Sequence, residues 1–249
     1  AIGRALGHPV EICMPDWMSQ ERVSLIRAFG ATIRPVSHDE GGFLGSIRLC
    51  EELQRREPNV FLPRQFSNQA NVEAHRRGTG PEIAAQLAAR GLTADAFVAG
   101  VGTGGTVMGV GQYLKSLHPA IQVHPLEPAE SPTLSTGCKV GRHRIQGVSD
   151  EFVPPIVDLD SLDGIIAVAD GDAILMAQRL AHDLGLGVGI SSGAIAWAAL
   201  QLAKRPENKG KQIVAIMPSS SERYLSSWLF ADINVESDSI DDLLAPAAG

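Results

Sequence analysis

Short apolar runs alternate with helical patterns of apolar residues along most of this chain. The short runs predict buried strands at 10–13, 31–36, 59–62, 96–99, 121–126, 164–169 and 212–217. Helical patterns occur at 20–29, 45–56, 81–90, 107–117, 172–183 and 192–204. Because strands and helices alternate at this rhythm, the pattern predicts an α/β fold with mostly parallel sheets.

Composition narrows the classes of function. The 249 residues carry a net charge of −7 and no basic stripe, which argues against nucleic acid as a partner. No apolar run approaches the roughly 20 residues of a membrane-spanning helix, and the first residues do not resemble a signal peptide, so we expect a cytoplasmic protein. Three scattered cysteines and seven histidines without ligand spacing predict neither disulfides nor a metal site.

A glycine-rich stretch follows the strand predicted at 96–99. Residues 100–106 read Gly-Val-Gly-Thr-Gly-Gly-Thr, and a predicted helix begins directly afterwards. Glycines let the backbone approach an anion closely, and the free N–H groups at a helix N-terminus point toward it. The stretch is therefore typical of a phosphate-binding loop, and we call residues 102–106 the glycine loop.

The spacing of these residues leaves the identity of the ligand open. Residues 100–105 match G-x-G-x-x-G, the fingerprint of dinucleotide sites, and Glu127 follows where a ribose-binding acid is expected. Thr103 and Thr106 instead favour one compact phosphate, such as that of pyridoxal phosphate, because their hydroxyls add donors. A plain glycine-rich turn is the third interpretation.

A second pattern, Gly-Ile-Ser-Ser-Gly at 189–193, matches the nucleophile elbow of hydrolases. That chemistry needs a histidine later in the chain, and none follows His182. Ser191 therefore has no base in the required order, which argues against a hydrolase. Ser192 is interpreted more simply as the N-cap of the helix predicted at 192–204.

Seven motifs occur in one order along the chain, at 14–22, 65–68, 79–83, 102–106, 145–147, 189–193 and 218–226. Together they resemble the cysteine synthase (O-acetylserine sulfhydrylase) family, which is close to cystathionine β-synthase. The resemblance runs from about Ile2 to Phe230. It implies a pyridoxal 5′-phosphate enzyme of fold type II that makes L-cysteine from O-acetyl-L-serine and sulfide by β-replacement. A dinucleotide-dependent dehydrogenase becomes a remote alternative.

The resemblance also implies an architecture and partners. We expect two open, mostly parallel sheets with flanking helices, like the tryptophan synthase β subunit, in a chain that is N-terminally incomplete. Residues 1–67 would be the remnant of a smaller N-terminal domain, 68–231 a larger cofactor-binding domain, and 232–249 an acidic, flexible tail. Expected partners are a small amino-acid substrate, a second copy of the chain, and the C-terminal tail of serine acetyltransferase.

Site residues follow from the resemblance position by position. The cofactor phosphate would be held by Gly102, Thr103, Gly104, Gly105 and Thr106. Ser219 would face the pyridine nitrogen, where a neutral hydroxyl leaves that nitrogen largely unprotonated and favours β-elimination over side reactions. Gln65 and Gly147 would line the substrate site. The alternatives without a functional role are that the Ser219 hydroxyl bonds nearby backbone in a turn and that the Gln65 side-chain amide is satisfied by hydrogen bonds within its loop.

The lysine that forms the family's Schiff base has no counterpart in this sequence, and neither has the Ser-Gly-Asn-Thr-Gly loop that grips the substrate carboxylate. None of the five lysines stands in the required sequence context: Lys115, Lys139, Lys204, Lys209 and Lys211. We therefore predict no catalytic residue here and expect a truncated chain that is inactive in β-replacement by itself. An alternative stays open, in which the chain is a non-catalytic homologue that binds a partner through the former active-site cleft.

Overall fold

The computed structural model describes residues 1–148 and 151–230. These residues form two compact units, one of residues 1–63 with 222–230 and the other of residues 64–221. Each unit has parallel strands with helices around them, so the predicted fold class is confirmed. The tail predicted at 232–249 lies outside the described residues, and the predicted domain boundaries stay predictions.

The first unit is built on a two-stranded parallel sheet. β1 (Glu11–Pro15) pairs with β2 (Thr32–Val36), and Cys13 lies opposite Arg34. Its helices are α1 (Ile2–Ala5), α2 (Gln20–Ala28) and α3 (Gly42–Arg56). Residues 222–230 pack in this unit, because the backbone N–H and hydroxyl of Ser226 both donate to the carboxylate of Glu21 in α2.

The second unit has a four-stranded parallel sheet in the order β5-β4-β3-β6. Its strands are β3 (Ala96–Gly100), β4 (Gln122–Pro128), β5 (Ile166–Val168) and β6 (Ile213–Ala215). Its helices are α4 (Gln69–Ala74), a π-helical segment (His75–Thr79), α5 (Gly80–Ala88), α6 (Gly105–Leu117), α7 (Thr133–Thr136), α8 (Asp170–Leu184) and α9 (Ile190–Ala203).

The central strand β3 is covered on both faces. Phe97 and Ala99 belong to the apolar cluster that contains residues of α6, whereas Gly100, on the other face, packs against Ile195 of α9. Side chains of a strand alternate between its faces, so two helical layers explain why β3 is apolar at every position. This continuous run is the reason that the strand was predictable.

The strand predicted at 59–62 is wrong. Residues 60–64 are not assigned to any strand, and Phe61 is 83% exposed. Prolines at 58 and 63 flank the segment, and proline has no N–H to donate to a ladder. An apolar run becomes a strand only when a neighbouring strand supplies its hydrogen bonds.

The helix over 69–74 and the π-helical segment after it were not predicted. Asn68 caps α4, since its side chain accepts a hydrogen bond of 3.0 Å from the backbone N–H of Ala70. Val72 is the only buried residue of α4, so the polar sequence lacks the apolar stripe from which helices are recognised. Among the described residues, no helix is long and apolar enough to cross a membrane.

His124 lies inside the second unit on β4 and is 3% exposed. Its Nδ1 atom lies 3.0 Å from the carbonyl oxygen of Gly164. Burial lowers the pKa of this imidazole, because removal from water penalises the charged form. The folded protein therefore holds His124 neutral.

We predict that this histidine makes the protein sensitive to acid. An unfolded histidine takes up a proton near pH 6.5, whereas folded His124 resists it, so stability falls by up to about 1.4 kcal/mol per pH unit below that value. Urea unfolding at pH 7.5 and 5.5 measures the loss. His124→Asn should lose less stability on acidification than the wild type, and the exposed His118→Asn should behave like the wild type. Equal losses in all three proteins would contradict the prediction.

Candidate functional site

The glycine loop lies at the carboxyl edge of the four-stranded sheet, between β3 and α6. β3 has β4 on one side and β6 on the other, all parallel, so the segments that follow these three strands reach the same edge. Ligands of open α/β sheets bind at this edge. The segment after β6 carries Ser219, and Glu127 lies near the end of β4.

Gly104 shapes the beginning of α6. Its φ of 90° is left-handed, a conformation that favours glycine, and it occupies the N-cap without a side-chain cap. The first N–H groups of a helix have no partner within the helix. With the positive end of the helix dipole, they form a place for an anion at the glycine loop.

Two other glycines of the loop lie against neighbouring segments. A Cβ atom on Gly102 would lie 2.5 Å from the carbonyl oxygen of Gly147, which brings predicted substrate-site residue Gly147 beside the loop. A Cβ atom on Gly105 would lie 2.0 Å from Oδ1 of Asn71. Side chains at either position would force these segments apart.

Asn71 joins Thr103 to the segment that holds Gln65. Its Nδ2 donates to Oγ1 of Thr103 and to the carbonyl oxygen of Gln65, both at 2.9 Å. The backbone N–H of Gly105 also approaches Thr103 Oγ1, at 3.4 Å. The Gln65 backbone is thus tied to the glycine loop, while the Gln65 residue itself is exposed.

His75 contacts the second threonine of the loop. Its Nε2 lies 3.2 Å from Thr106 Oγ1, and its Nδ1 lies 2.9 Å from Thr79 Oγ1. Burial lowers the pKa of the imidazole, so the ring is neutral at pH 7 and one nitrogen donates while the other accepts. His75 therefore links the π-helical segment to the loop.

Ser219 belongs to a cluster of three serines. Its hydroxyl lies 3.0 Å from that of Ser191 and 3.1 Å from that of Ser192, and its backbone N–H donates to Ser192 Oγ at 3.2 Å. The N-cap interpretation of Ser192 is wrong, because α9 begins at Ile190 and Gly189 is its N-cap. Ser192 instead donates to the Ser219 carbonyl oxygen, at 3.2 Å.

Glu127 is not available to a ribose. The residue is 1% exposed, and its Oε2 accepts from the backbone N–H groups of Leu134 and Ser135 at 2.7 and 3.2 Å. Its Oε1 accepts from the Ser135 hydroxyl. The carboxylate caps the short helix α7, so the dinucleotide interpretation loses its acidic residue.

The loop that carries Gly147 is anchored by Asp170. Both carboxylate oxygens of Asp170 accept from the backbone N–H of Arg144, at 2.8 and 2.7 Å. Its own N–H donates to Glu130 Oε1 at 2.9 Å. Burial raises the pKa of Asp170 despite the N–H donor. The anchor holds the segment before Gly147 at the sheet edge.

Three lysines have described polar contacts with other side chains. Lys115 pairs with Asp163 at 2.6 Å, and its position in α6 is about 15 Å along the axis from Gly105. Lys139 pairs with Glu151 at 2.8 Å. Lys211 donates to Asn208 Oδ1 at 3.2 Å. Lys115, Lys139 and Lys211 are thus each engaged by another side chain.

Sequence reasoning missed Asn71, His75 and the role of Ser191. Asn71 and His75 are four residues apart, a spacing that puts two side chains on the same face of a helix. That signal could be used only if residues 69–79 were known to be helical. The polar pattern of the segment concealed this.

Comparisons with known proteins agree with the fold. A family model described as pyridoxal-phosphate dependent enzyme matches residues 1–219. The chain is 44% identical over 229 residues to a probable cysteine synthase of Bacillus subtilis, covering 92% of this chain and 73% of that relative.

Two solved structures are similar throughout. A hydrogen sulfide-producing enzyme from Fusobacterium nucleatum has 53% identity and a TM-score of 0.90, with 98% of this chain and 71% of that chain covered. A cysteine synthase from Entamoeba histolytica has 37% identity and a TM-score of 0.85, with 97% and 70% covered.

We predict that Gly105→Ala destabilises the protein and that Gly78→Ala does not. The new methyl group at 105 would displace Asn71 from its two hydrogen bonds, which should cost about 1–3 kcal/mol. A Cβ atom at Gly78 would meet nothing within 4 Å, so alanine there should be neutral or stabilising by up to about 1 kcal/mol. Urea unfolding compares the two; equal effects would refute the packing described for Gly105.

Proposed function

The chain belongs to the pyridoxal-phosphate dependent enzymes, and from that premise we propose that the glycine loop binds the phosphate of pyridoxal 5′-phosphate. We further propose that the fold serves a β-replacement that makes L-cysteine from O-acetyl-L-serine and sulfide. One observation carries the cofactor site: Thr103 and Thr106 lie at the N-terminus of α6, beside its first backbone N–H groups. The cysteine synthase relative supports the reaction.

The residues present fit the cofactor's phosphate. Cβ atoms at Gly102 and Gly105 would collide with the Gly147 carbonyl oxygen and the Asn71 amide, so glycines let the loop backbone lie between these two segments. Loop hydroxyls and backbone amides are neutral donors, which suit a dianion at a helix N-terminus. When bound, pyridoxal phosphate withdraws electrons from the amino acid and so lets a β-substituent leave.

Ser219 is proposed as the partner of the pyridine nitrogen. Its position after β6, the strand next to β3, supports this role. Ser191 can donate to the Ser219 hydroxyl at 3.0 Å, which frees the Ser219 proton for a nitrogen lone pair. A hydroxyl, unlike a carboxylate, leaves that nitrogen uncharged. Gln65 and Gly147 are proposed to bind the amino-acid substrate beside the loop.

The 249 residues alone are proposed to lack β-replacement activity. A lysine next to the cofactor is needed to hold it and to remove the α-proton of the substrate. Lys115 and Lys139 are paired with Asp163 and Glu151, and Lys115 lies about 15 Å along α6 from Gly105. Positioning of the substrate also depends on a carboxylate clamp of the family type, which this sequence does not contain.

We predict no cysteine formation by this chain. It would be incubated with pyridoxal 5′-phosphate, O-acetyl-L-serine and sulfide, and cysteine measured by a colorimetric assay. The rate should equal that of cofactor in buffer, whereas a cysteine synthase from Staphylococcus aureus should be active under the same conditions. Equilibrium dialysis measures in parallel whether the chain binds the cofactor. Cysteine production by the 249 residues would overturn the proposal.

Release of hydrogen sulfide is a second candidate function. It is favoured by one observation, the 53% identity to a hydrogen sulfide-producing enzyme, which exceeds the identity to the cysteine synthase relatives. The same site would serve both reactions, since each begins with loss of a β-substituent from an amino acid.

The protein purified from its natural source distinguishes the two. We expect it to make cysteine from O-acetyl-L-serine and sulfide faster than it releases sulfide from L-cysteine. The opposite ratio would establish the second candidate. Its intact mass, compared with the 26.4 kDa of these 249 residues, identifies the species assayed. A protein active in neither direction would favour the non-catalytic homologue.

Partners and location are proposed from the family resemblance. The proposed partners are a second copy of the chain and the C-terminal tail of a serine acetyltransferase, which would bind in the active-site cleft. The proposed location is the cytoplasm.

A further inference from the structure

The segment 69–79 approaches α6 unusually closely at two glycines. A Cβ atom on Gly105 would collide with Asn71, and one on Gly109 would lie 2.2 Å from the Val72 carbonyl oxygen and 2.6 Å from His75 Cβ. Gly105 and Gly109 are one helical turn apart. Because neither residue has a side chain, the segment 69–79 packs directly against the backbone of α6 there. This packing brings Asn71 and His75 within hydrogen-bond distance of Thr103 and Thr106.

The Asn71 amide fixes the direction of the Thr103 proton. The Gln65 carbonyl oxygen can only accept, so the Asn71 atom beside it must be the NH₂ nitrogen. That nitrogen has a second proton, which it donates to Thr103 Oγ1 at 2.9 Å. Because Thr103 accepts there, its own hydroxyl proton is left to donate elsewhere.

The tautomer of His75 likewise determines whether the Thr106 hydroxyl accepts from the ring or donates to it. With the proton on Nε2, the ring donates to Thr106 and accepts from the Thr79 hydroxyl. With the proton on Nδ1, the ring donates to Thr79 and accepts from Thr106, so the Thr106 hydroxyl proton points at Nε2. Only the Nε2–H form leaves the Thr106 proton free for an anion.

We propose that Asn71 and His75 are positioning residues that aim the hydroxyl protons of Thr103 and Thr106 at the cofactor phosphate. The inference rests on the proposed function, since it requires the glycine loop to bind phosphate. Neither residue touches the phosphate in this scheme. They act by occupying the lone pairs of the two threonines, so that each hydroxyl is a donor before the ligand arrives.

The tautomer of His75 tests the proposal without any substitution. ¹⁵N NMR of the 249-residue chain distinguishes a protonated from an unprotonated ring nitrogen. With saturating pyridoxal 5′-phosphate, we expect the Nε2–H form of His75 to predominate. A predominant Nδ1–H form in the complex would overturn the role of His75, because a merely structural histidine could contact the two threonines in either tautomer.

A pair of matched variants tests Asn71. In Asn71→Asp the carboxylate can only accept, so Thr103 would turn its proton away from the phosphate. Asn68→Asp adds the same charge one turn earlier and preserves the N-cap to Ala70. Equilibrium dialysis should give a Kd for pyridoxal 5′-phosphate at least tenfold higher for Asn71→Asp than for Asn68→Asp. Equal Kd values would overturn the role of Asn71.

The failures of this inference and of the proposed function are separable. Cofactor binding by the wild-type chain is followed by dialysis and by the ³¹P shift of the ligand. A wild type without binding overturns the glycine loop as a phosphate site, and the inference with it. A wild type that binds while the matched variants are equal overturns Asn71 alone. If Asn71→Asp does not fold, the tautomer of His75 in the wild-type complex decides.

Discussion

The candidate site depends on how closely residues 69–79 approach α6. Gly105 and Gly109 have no side chains, and any Cβ there would meet Asn71, Val72 or His75 at 2.0–2.6 Å. This close packing brings two polar side chains onto the loop threonines. Because protein interiors are densely packed, an added methyl group would shift the whole segment rather than be absorbed locally. Without these contacts, the threonine hydroxyls could rotate, and the phosphate would have to orient them when it binds.

Parallel strands assemble the rest of the site. β3 lies between β4 and β6, so the glycine loop and Ser219 follow neighbouring strands to one edge although 113 to 117 residues separate them. Both segments are then fixed by side chains from elsewhere in the second unit. The Ser219 hydroxyl is held by serines of α9, and Thr103 and Thr106 are held by Asn71 and His75. The edge is therefore ordered by hydrogen bonds.

Several features were predictable because local sequence dictates them. The apolar run at 96–99, the glycines after it and the helical pattern beyond specify a strand, a loop and a helix start, and the structure has them at Ala96–Gly100 and Gly105–Leu117. Other predictions failed where a distant partner decides the outcome. Residues 59–62 are apolar but are assigned to no strand, and Ser192 precedes an apolar helix pattern but lies inside α9. Glu127 has the spacing of a ribose-binding acid, yet it caps α7.

By itself, the sequence determined the fold class, the position of the glycine loop and, through ordered motifs, the family. These are encoded in residues within a turn or a strand of one another, where periodicity and glycine conformations act locally. Only the tertiary structure decided which groups control the loop. Asn71 reaches Thr103 across 32 residues, and Ser191 reaches Ser219 across 28. Such contacts depend on how packed helices and strands meet, and no spacing along the chain reports that geometry.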